Sequence, residues 1–169
     1  MIEATESELR EGLEAALSVP RWVEELEAQS PFESLDELLH AARAAATPLS
    51  PGEIDQAMAH HPRIGEKAAG TGAAAVHSRH EQAGLGHSSD EDDAELTAAI
   101  AAGNAAYEAR FDRVFLIRAA GRTRAEILHE LDRRLTLDNE TELAIVGEQL
   151  REIALLRLAA TFGSKEDSL

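Results

Sequence analysis

A recurrent helix-start signal constrains the fold of this chain more than any other feature. A Ser or Thr followed three residues later by Glu forms a capping box, in which each side chain binds a backbone N–H group that the helix leaves free. The signal occurs at Thr5/Glu8, Ser34/Glu37, Ser50/Glu53 and Thr123/Glu126. Apolar residues at helical spacing follow each one, whereas residues 114–117 are the only short run with strand propensity. The chain is therefore predicted to be all-α.

The apolar spacing and the breaks between segments predict eight helices. We expect them near residues 5–17, 20–28, 34–46, 51–60, 76–83, 92–111, 123–135 and 139–162. A chain of 169 residues has the length of one domain, and no linker or internal repeat divides it. The prediction is a single compact multi-helix domain over residues 1–169.

The charge of the chain argues against several classes of partner. Its 32 acidic and 16 basic residues give a formal net charge of −16. Such a chain repels nucleic acids and anionic membranes unless it has a basic patch, and it contains no run of Lys or Arg. The absence of cysteine excludes disulfides, thiolate metal sites and thiol nucleophiles. With no targeting segment and no long apolar run, we expect a soluble cytoplasmic protein.

A histidine pair before a proline is the first candidate for chemistry. The residue before a proline avoids the α region, so the helix that begins at Pro51 is expected to end at about His61. The partial negative charge of a helix C-terminus favours a protonated imidazole, as a general acid requires. On local sequence alone, a surface histidine in a helix-ending turn is the simpler interpretation.

Residues 78–82, with the sequence Ser-Arg-His-Glu-Gln, are the second candidate. In a helix, Ser78, Glu81 and Gln82 share one face and offer a hydroxyl, a carboxylate and an amide to a polar ligand. Ser78 and Glu81 also have the spacing of a capping box. These residues alone leave both interpretations open.

An arginine on an apolar stripe is the third candidate. The stripe of the last predicted helix consists of Leu143, Val146, Leu150, Ile153 and Ala154. Arg157 continues it, and a buried guanidinium costs free energy unless it meets a carboxylate or an anionic ligand. The alternatives are a structural salt bridge and an arginine that extends to solvent at the helix end.

Two Glu-x-x-His pairs raise the question of a metal site. Glu37/His40 and Glu126/His129 have the spacing found in di-iron carboxylate helix bundles. Each glutamate, however, lies three residues after a capping hydroxyl, where capping the helix is its expected role. Zinc-protease motifs and phosphate-binding glycine loops are absent from the sequence. We therefore predict no metal and no cofactor, and acid–base chemistry if the protein is an enzyme.

The motifs together resemble the 2-oxo-4-hydroxy-4-carboxy-5-ureidoimidazoline (OHCU) decarboxylase family. In chain order they are His-Pro-Arg-Ile-Gly-Glu at 61–66, Ser-x-x-Glu-Gln-x-Gly-Leu at 78–85, Asn104-x-x-Tyr-x-x-x-Phe111 and Ile153-x-x-Leu-Arg157-Leu158. The resemblance covers nearly the whole chain. It implies a small all-α enzyme, commonly homodimeric and cofactor-independent, that converts a small anionic substrate to (S)-allantoin in urate degradation. Urate oxidase and hydroxyisourate hydrolase, which act before it, are the candidate functional partners.

The resemblance also implies roles for individual residues. His61 corresponds to the catalytic acid, Pro62 to part of the pocket wall, and Arg157 to an anion-binding arginine. The implied catalytic set is His61, Glu81 and Arg157. The implied substrate-binding set is Pro62, Ser78, Arg79, His80, Glu81, Gln82, Phe115, Leu116, Ile117, Arg118, Ala119 and Arg157.

The chain departs from the family pattern at two places, the residues just before Phe115 and residue 118. Many relatives read Phe-Gly-Phe-Pro-Phe where this chain has Phe111-Asp-Arg-Val-Phe115, and Arg118 stands where a small or apolar side chain is usual. The substrate contacts of residues 115–119 are therefore the least direct transfer.

Two other classes remain open from the sequence, a non-catalytic acidic interaction module and, third, a di-iron bundle. The decarboxylase alone requires that His61, Glu81 and Arg157 converge on one pocket.

Overall fold

The computed structural model describes residues 1–61 and 90–163, which form seven α-helices and no β-strand. The helices are α1 (Glu6–Ala16), α2 (Pro20–Gln29), α3 (Leu35–Ala45), α4 (Pro51–Met58), α5 (Asp90–Phe111), α6 (Arg124–Arg134) and α7 (Asn139–Phe162). The all-α prediction is confirmed, and these helices lie close to their predicted bounds. The helix predicted at 76–83 lies outside the described residues.

The helix-start signals act as predicted in three of the four cases. At α1, α4 and α6 the hydroxyl accepts from the backbone of the Glu, and the Glu carboxylate accepts from the backbone of the capping residue. At α3 the box is only half formed. Ser34 accepts from the Glu37 N–H at 3.1 Å, but the Glu37 carboxylate accepts from the N–H of Glu33, one residue before the cap.

The chain divides into two compact units. The first contains residues 1–60 and the chain from residue 150, and the second contains residues 61–149. Helix α7 therefore belongs to the second unit up to Gln149 and to the first from Leu150. The single domain over residues 1–169 stays a prediction.

In the first unit, α2 packs against both α1 and α3. Trp22 of α2 is fully buried, and its indole N–H donates to the carbonyl of Ala42 in α3 at 3.0 Å. Gly12 allows a close approach of α1 to α7, because a Cβ there would lie 2.6 Å from the Phe162 ring. The buried apolar residues of this unit include Leu13, Leu26, Phe32, Leu38, Ile54, Leu158 and Phe162.

In the second unit, α5 packs against α6, and a Cβ on Gly103 of α5 would collide with the Leu131 side chain. The core of this unit consists of Ile100, Tyr107, Phe111, Phe115, Ile117, Ala119, Ile127 and Leu131. Three of these residues come from the segment between α5 and α6, which has no regular secondary structure. A loop therefore supplies part of the core.

Candidate active site

His61 lies just beyond the end of α4. The helix ends at Met58 rather than at about His61, because the chain tightens into a turn in which the His60 N–H donates to the Ala57 carbonyl at 3.2 Å. The two histidines differ in burial, since His60 is exposed and His61 is half-buried. This difference favours His61 as the residue of functional interest.

The second group of predicted site residues lies outside the described residues. It comprises Pro62, Ser78, Arg79, His80, Glu81 and Gln82. Their predicted roles stay predictions.

Arg157 is buried, with 4% of its surface exposed. Four residues of the predicted apolar stripe are buried, and Leu143, at its start, is half-buried; the four are Val146, Leu150, Ile153 and Ala154. One guanidinium nitrogen, Nη1, donates to the carbonyl of Ala15 at 3.2 Å. This carbonyl lies in the last turn of α1, where backbone oxygens carry partial negative charge and where α1 has no basic residue of its own. The alternative of an arginine extended to solvent is wrong.

The turn that leads into residues 115–119 has an unusual backbone conformation. Asp112 follows the last residue of α5 with φ 55°, in the left-handed region that glycine adopts most easily. It occupies the position of the glycine in the family pattern that the sequence resembles. The turn is thus made with a left-handed aspartate.

The segment 115–119 itself has no regular secondary structure and is largely buried. Phe115, Leu116, Ile117 and Ala119 are buried, and Arg118 is half-buried. No strand pairs with the segment among the described residues, so its backbone is not held by a sheet. Side chains from two helices bind it instead.

The first of these side chains is Arg134 of α6, whose Nη1 donates to the Leu116 carbonyl at 2.7 Å. The second is Gln149 of α7, whose Oε1 accepts from the Arg118 N–H at 2.8 Å. Between these two anchored groups lies Ile117. No hydrogen bond within the described parts of the chain involves its N–H or C=O.

Arg134 belongs to a buried polar cluster that the sequence reasoning missed. Its Nε and Nη2 donate to the carboxylate of Glu142, and the phenol of Tyr107 donates to the same carboxylate at 2.5 Å. The guanidinium carbon lies 4.6 Å from the centroid of the Phe115 ring. Burial is the larger cause and the hydrogen bond to Glu142 the smaller cause of a raised pKa of the Tyr107 hydroxyl. The hydroxyl therefore stays protonated and donates. Spacing offered a signal, because Arg134 continues the buried positions Ile127 and Leu131 of α6.

The two glutamates weighed as iron ligands have capping roles. Glu126 accepts from the Thr123 N–H at 3.0 Å, and Glu37 accepts from the Glu33 N–H at 2.6 Å. Residues 1–61 and 90–163 contain no group of three or more His, Asp or Glu arranged to hold a metal ion. Nor does any helix in these ranges combine the length and hydrophobicity needed to cross a membrane.

The predicted site residues are distributed over both units. His61 and residues 115–119 belong to the second unit, and Arg157 belongs to the first. The convergence of His61, Glu81 and Arg157 on one pocket stays a prediction.

The fold of this chain is similar to that of two known crystal structures. A crystal structure of OHCU decarboxylase in the presence of (S)-allantoin matches with a TM-score of 0.71 and 23% identity, over 90% of this chain and 98% of that one. A crystal structure of (S)-allantoin synthase matches with a TM-score of 0.67 and 17% identity, over 95% of this chain but only 52% of that one. A search of curated protein sequences finds no match. At these identities the two structures show the fold, which is all-α and of the OHCU decarboxylase type.

The family follows from the sequence profile. The OHCU decarboxylase profile matches residues 3–159, nearly the whole chain, so this protein belongs to the OHCU decarboxylase family. It is therefore a carboxy-lyase of urate degradation rather than a non-catalytic interaction module.

Proposed function

We propose that the protein catalyses the cofactor-independent decarboxylation of OHCU to (S)-allantoin. The family match over residues 3–159 is the observation that carries this proposal. The similarity to an OHCU decarboxylase crystallised in the presence of (S)-allantoin supports the choice of product.

The substrate itself explains why no cofactor is required. Its carboxylate is attached to a ring carbon that also bears a hydroxyl and is next to a C=N bond. When the bond to the carboxylate breaks and carbon dioxide leaves, the electron pair moves into the ring and the imine nitrogen takes up a proton. The hydroxyl then loses a proton to become the ring carbonyl, while the neighbouring carbon gains one, so the reaction consumes one proton overall.

Three tasks remain for the protein, and each has a proposed residue. Arg157 binds the anionic substrate by electrostatic attraction, which its low exposure strengthens because water screens a buried charge less. Glu81 and Gln82 bind the N–H and C=O groups of the ureido chain and the ring. His61, as an imidazolium, assists the loss of carbon dioxide and delivers the proton to one face of the intermediate.

The backbone of residues 115–119 is proposed to bind the polar edge of the substrate. Ile117 supports this role, because its N–H and C=O have no partner within the described residues although the residue is buried. Buried backbone groups are nearly always paired, so a ligand that offers both a donor and an acceptor would complete them.

The test is a coupled reaction that starts from urate and uses urate oxidase and hydroxyisourate hydrolase to produce the substrate. Circular dichroism then follows the appearance of allantoin. We expect the protein to accelerate the reaction and to yield the (S) enantiomer alone. A rate and an optical outcome equal to those of the spontaneous reaction would contradict the proposal.

The neighbouring histidines provide a matched pair for the proton-transfer step. His61→Asn is expected to lower kcat by about a hundredfold or more, the usual contribution of a general acid. His60→Asn, at the exposed histidine, should leave kcat unchanged. Equal activities of the two variants would remove His61 from the mechanism.

The proposal also includes a homodimer, a cytoplasmic location and a functional association with the two preceding enzymes. Light scattering of the purified protein tests the first. Fractionation of the cells that produce it tests the second, and co-purification with either enzyme tests the third.

A further inference from the structure

We propose that Arg134, Glu142 and Gln149 are positioning residues for the reaction, because they set the main chain of residues 116–118 on which the substrate binds. The inference rests on the proposed function, in which this backbone contacts the substrate. None of the three side chains is assigned a contact with the substrate.

Arg134 can hold the Leu116 carbonyl because its guanidinium is itself held in place. Its Nε lies 2.9 and 3.0 Å from the two Glu142 oxygens, its Nη2 donates to the same carboxylate, and Nη1 remains for the Leu116 carbonyl at 2.7 Å. The planar guanidinium of an arginine can bind a carboxylate and a second acceptor in one fixed arrangement, which a lysine cannot do. Tyr107 restrains the carboxylate with a further hydrogen bond of 2.5 Å.

Gln149 provides the second point of attachment. Its amide oxygen accepts from the Arg118 N–H at 2.8 Å, and the side chain is nearly buried. The two anchored groups are the carbonyl of residue 116 and the N–H of residue 118, so both peptide bonds of Ile117 are fixed in orientation. The Ile117 N–H and C=O are thereby presented at a defined angle while remaining available.

A purely structural role accounts less well for this arrangement. An ion pair buried as completely as Arg134 and Glu142 contributes little net stability, since apolar side chains of similar volume do as well or better. What the pair provides here is a definite position for a stretch of backbone that has no sheet or helix to hold it. A site that must present backbone groups accurately to a ligand requires such support.

The test compares Gln149→Leu, which removes the acceptor at similar volume, with Ile100→Val as a control. Ile100 lies in the same buried core but forms no hydrogen bond to residues 116–118, so its variant reports general loosening. Gln149→Asn, whose amide is one methylene shorter, is a second variant with unchanged chemistry. Three quantities are measured: kcat and KM in the coupled reaction, the dissociation constant for (S)-allantoin by calorimetry, and the amide exchange rate of Arg118 by NMR.

We expect both Gln149 variants to raise KM and the (S)-allantoin dissociation constant by about tenfold, the effect of one misplaced hydrogen bond. In both, kcat should change much less and exchange at Arg118 should accelerate. Ile100→Val should leave all three at wild-type values even if it lowers Tm equally. Two results would overturn the positioning role alone. One is an unchanged KM and (S)-allantoin dissociation constant in both Gln149 variants, and the other is an equal change of both quantities in Ile100→Val. An inactive wild-type protein would contradict the proposed function and the positioning role with it.

Discussion

Arg134 and Glu142 form an ion pair in which the two side chains are only 1% and 0% exposed. Transferring both charges out of water costs several kcal/mol for each ion, and their mutual attraction offsets this cost only because the geometry is good and further hydrogen bonds complete it. Tyr107 and the Leu116 carbonyl provide those hydrogen bonds. The two charges are therefore mutually dependent.

This dependence predicts a strong asymmetry between single and double substitutions. Arg134→Met leaves the Glu142 carboxylate buried without its counterion and should lower the free energy of unfolding by about 3–5 kcal/mol. Glu142→Leu should lower the free energy of unfolding by a similar amount, because it leaves the Arg134 guanidinium buried without its counterion. The double variant should be less destabilised than the sum of the singles, as measured by urea unfolding in a double-mutant cycle. Additive effects would show that the pair is not coupled.

The left-handed aspartate after α5 predicts a stabilising substitution. A side chain at φ 55° is strained relative to glycine, so Asp112→Gly should raise the free energy of unfolding by up to about 1 kcal/mol. Asp112→Ala should have the opposite sign, since alanine has the same steric conflict and no polar group to compensate. Thermal unfolding of the two variants measures both effects. A destabilising Asp112→Gly would show that the carboxylate contributes more than the strain costs.

Two helical glycines predict opposite outcomes for the same substitution. A Cβ on Gly12 would lie 2.6 Å from the Phe162 ring, so Gly12→Ala must displace a buried ring and should cost about 1–3 kcal/mol. A Cβ on Gly52 meets nothing within 4 Å, and Gly52→Ala should add up to about 1 kcal/mol by lowering the entropy of the unfolded chain. Guanidinium unfolding of the two variants measures the difference. Equal effects would contradict the close contact of α1 with α7.

The Arg21–Glu53 pair predicts a stability term that depends on pH. The hydrogen bond from Arg21, at 2.6 Å, lowers the pKa of Glu53. Because the folded pKa lies below the unfolded one, the charged carboxylate stabilises the fold above about pH 4, and this contribution is lost as the pH falls through the folded value. Glu53→Gln keeps an oxygen for the Ser50 cap and should cost about 1 kcal/mol or less at pH 7, since Arg21 is half-exposed.

The difference between wild type and Glu53→Gln should therefore disappear in acid. Glu24→Gln, at an exposed glutamate on the helix that carries Arg21, serves as the control and should be neutral at both pH values. Urea unfolding at pH 7 and at low pH makes the comparison. A difference that persists unchanged in acid would exclude the charge as its cause.

The helices could be predicted because their signals are local. The capping boxes at Thr5, Ser50 and Thr123 act between residues three apart, and the stripe that contains Arg157 is a property of one helix. The half-formed box at Ser34 is a small exception that is also local, because the Glu37 carboxylate accepts from the N–H of Glu33 instead of the adjacent N–H of Ser34.

What escaped prediction depends on contacts between distant segments. Arg134 binds Leu116 across 18 residues, and Tyr107 binds Glu142 across 35, separations far beyond the three- and four-residue spacings on which helix patterns rest. The left-handed Asp112 escaped for a different reason. Aspartate adopts that conformation less readily than glycine, so its side chain gave no local signal of a left-handed residue at this position.

The two anchors of the 115–119 segment bind main-chain atoms, the carbonyl of Leu116 and the N–H of Arg118. Neither hydrogen bond depends on which side chain stands at those positions. The side chain at residue 118, an arginine here, can therefore differ from one chain to another while the peptide groups beside it keep their orientation. The backbone geometry of this stretch is thus set by Arg134 and Gln149, which lie 18 and 31 residues further along the chain than the groups they bind.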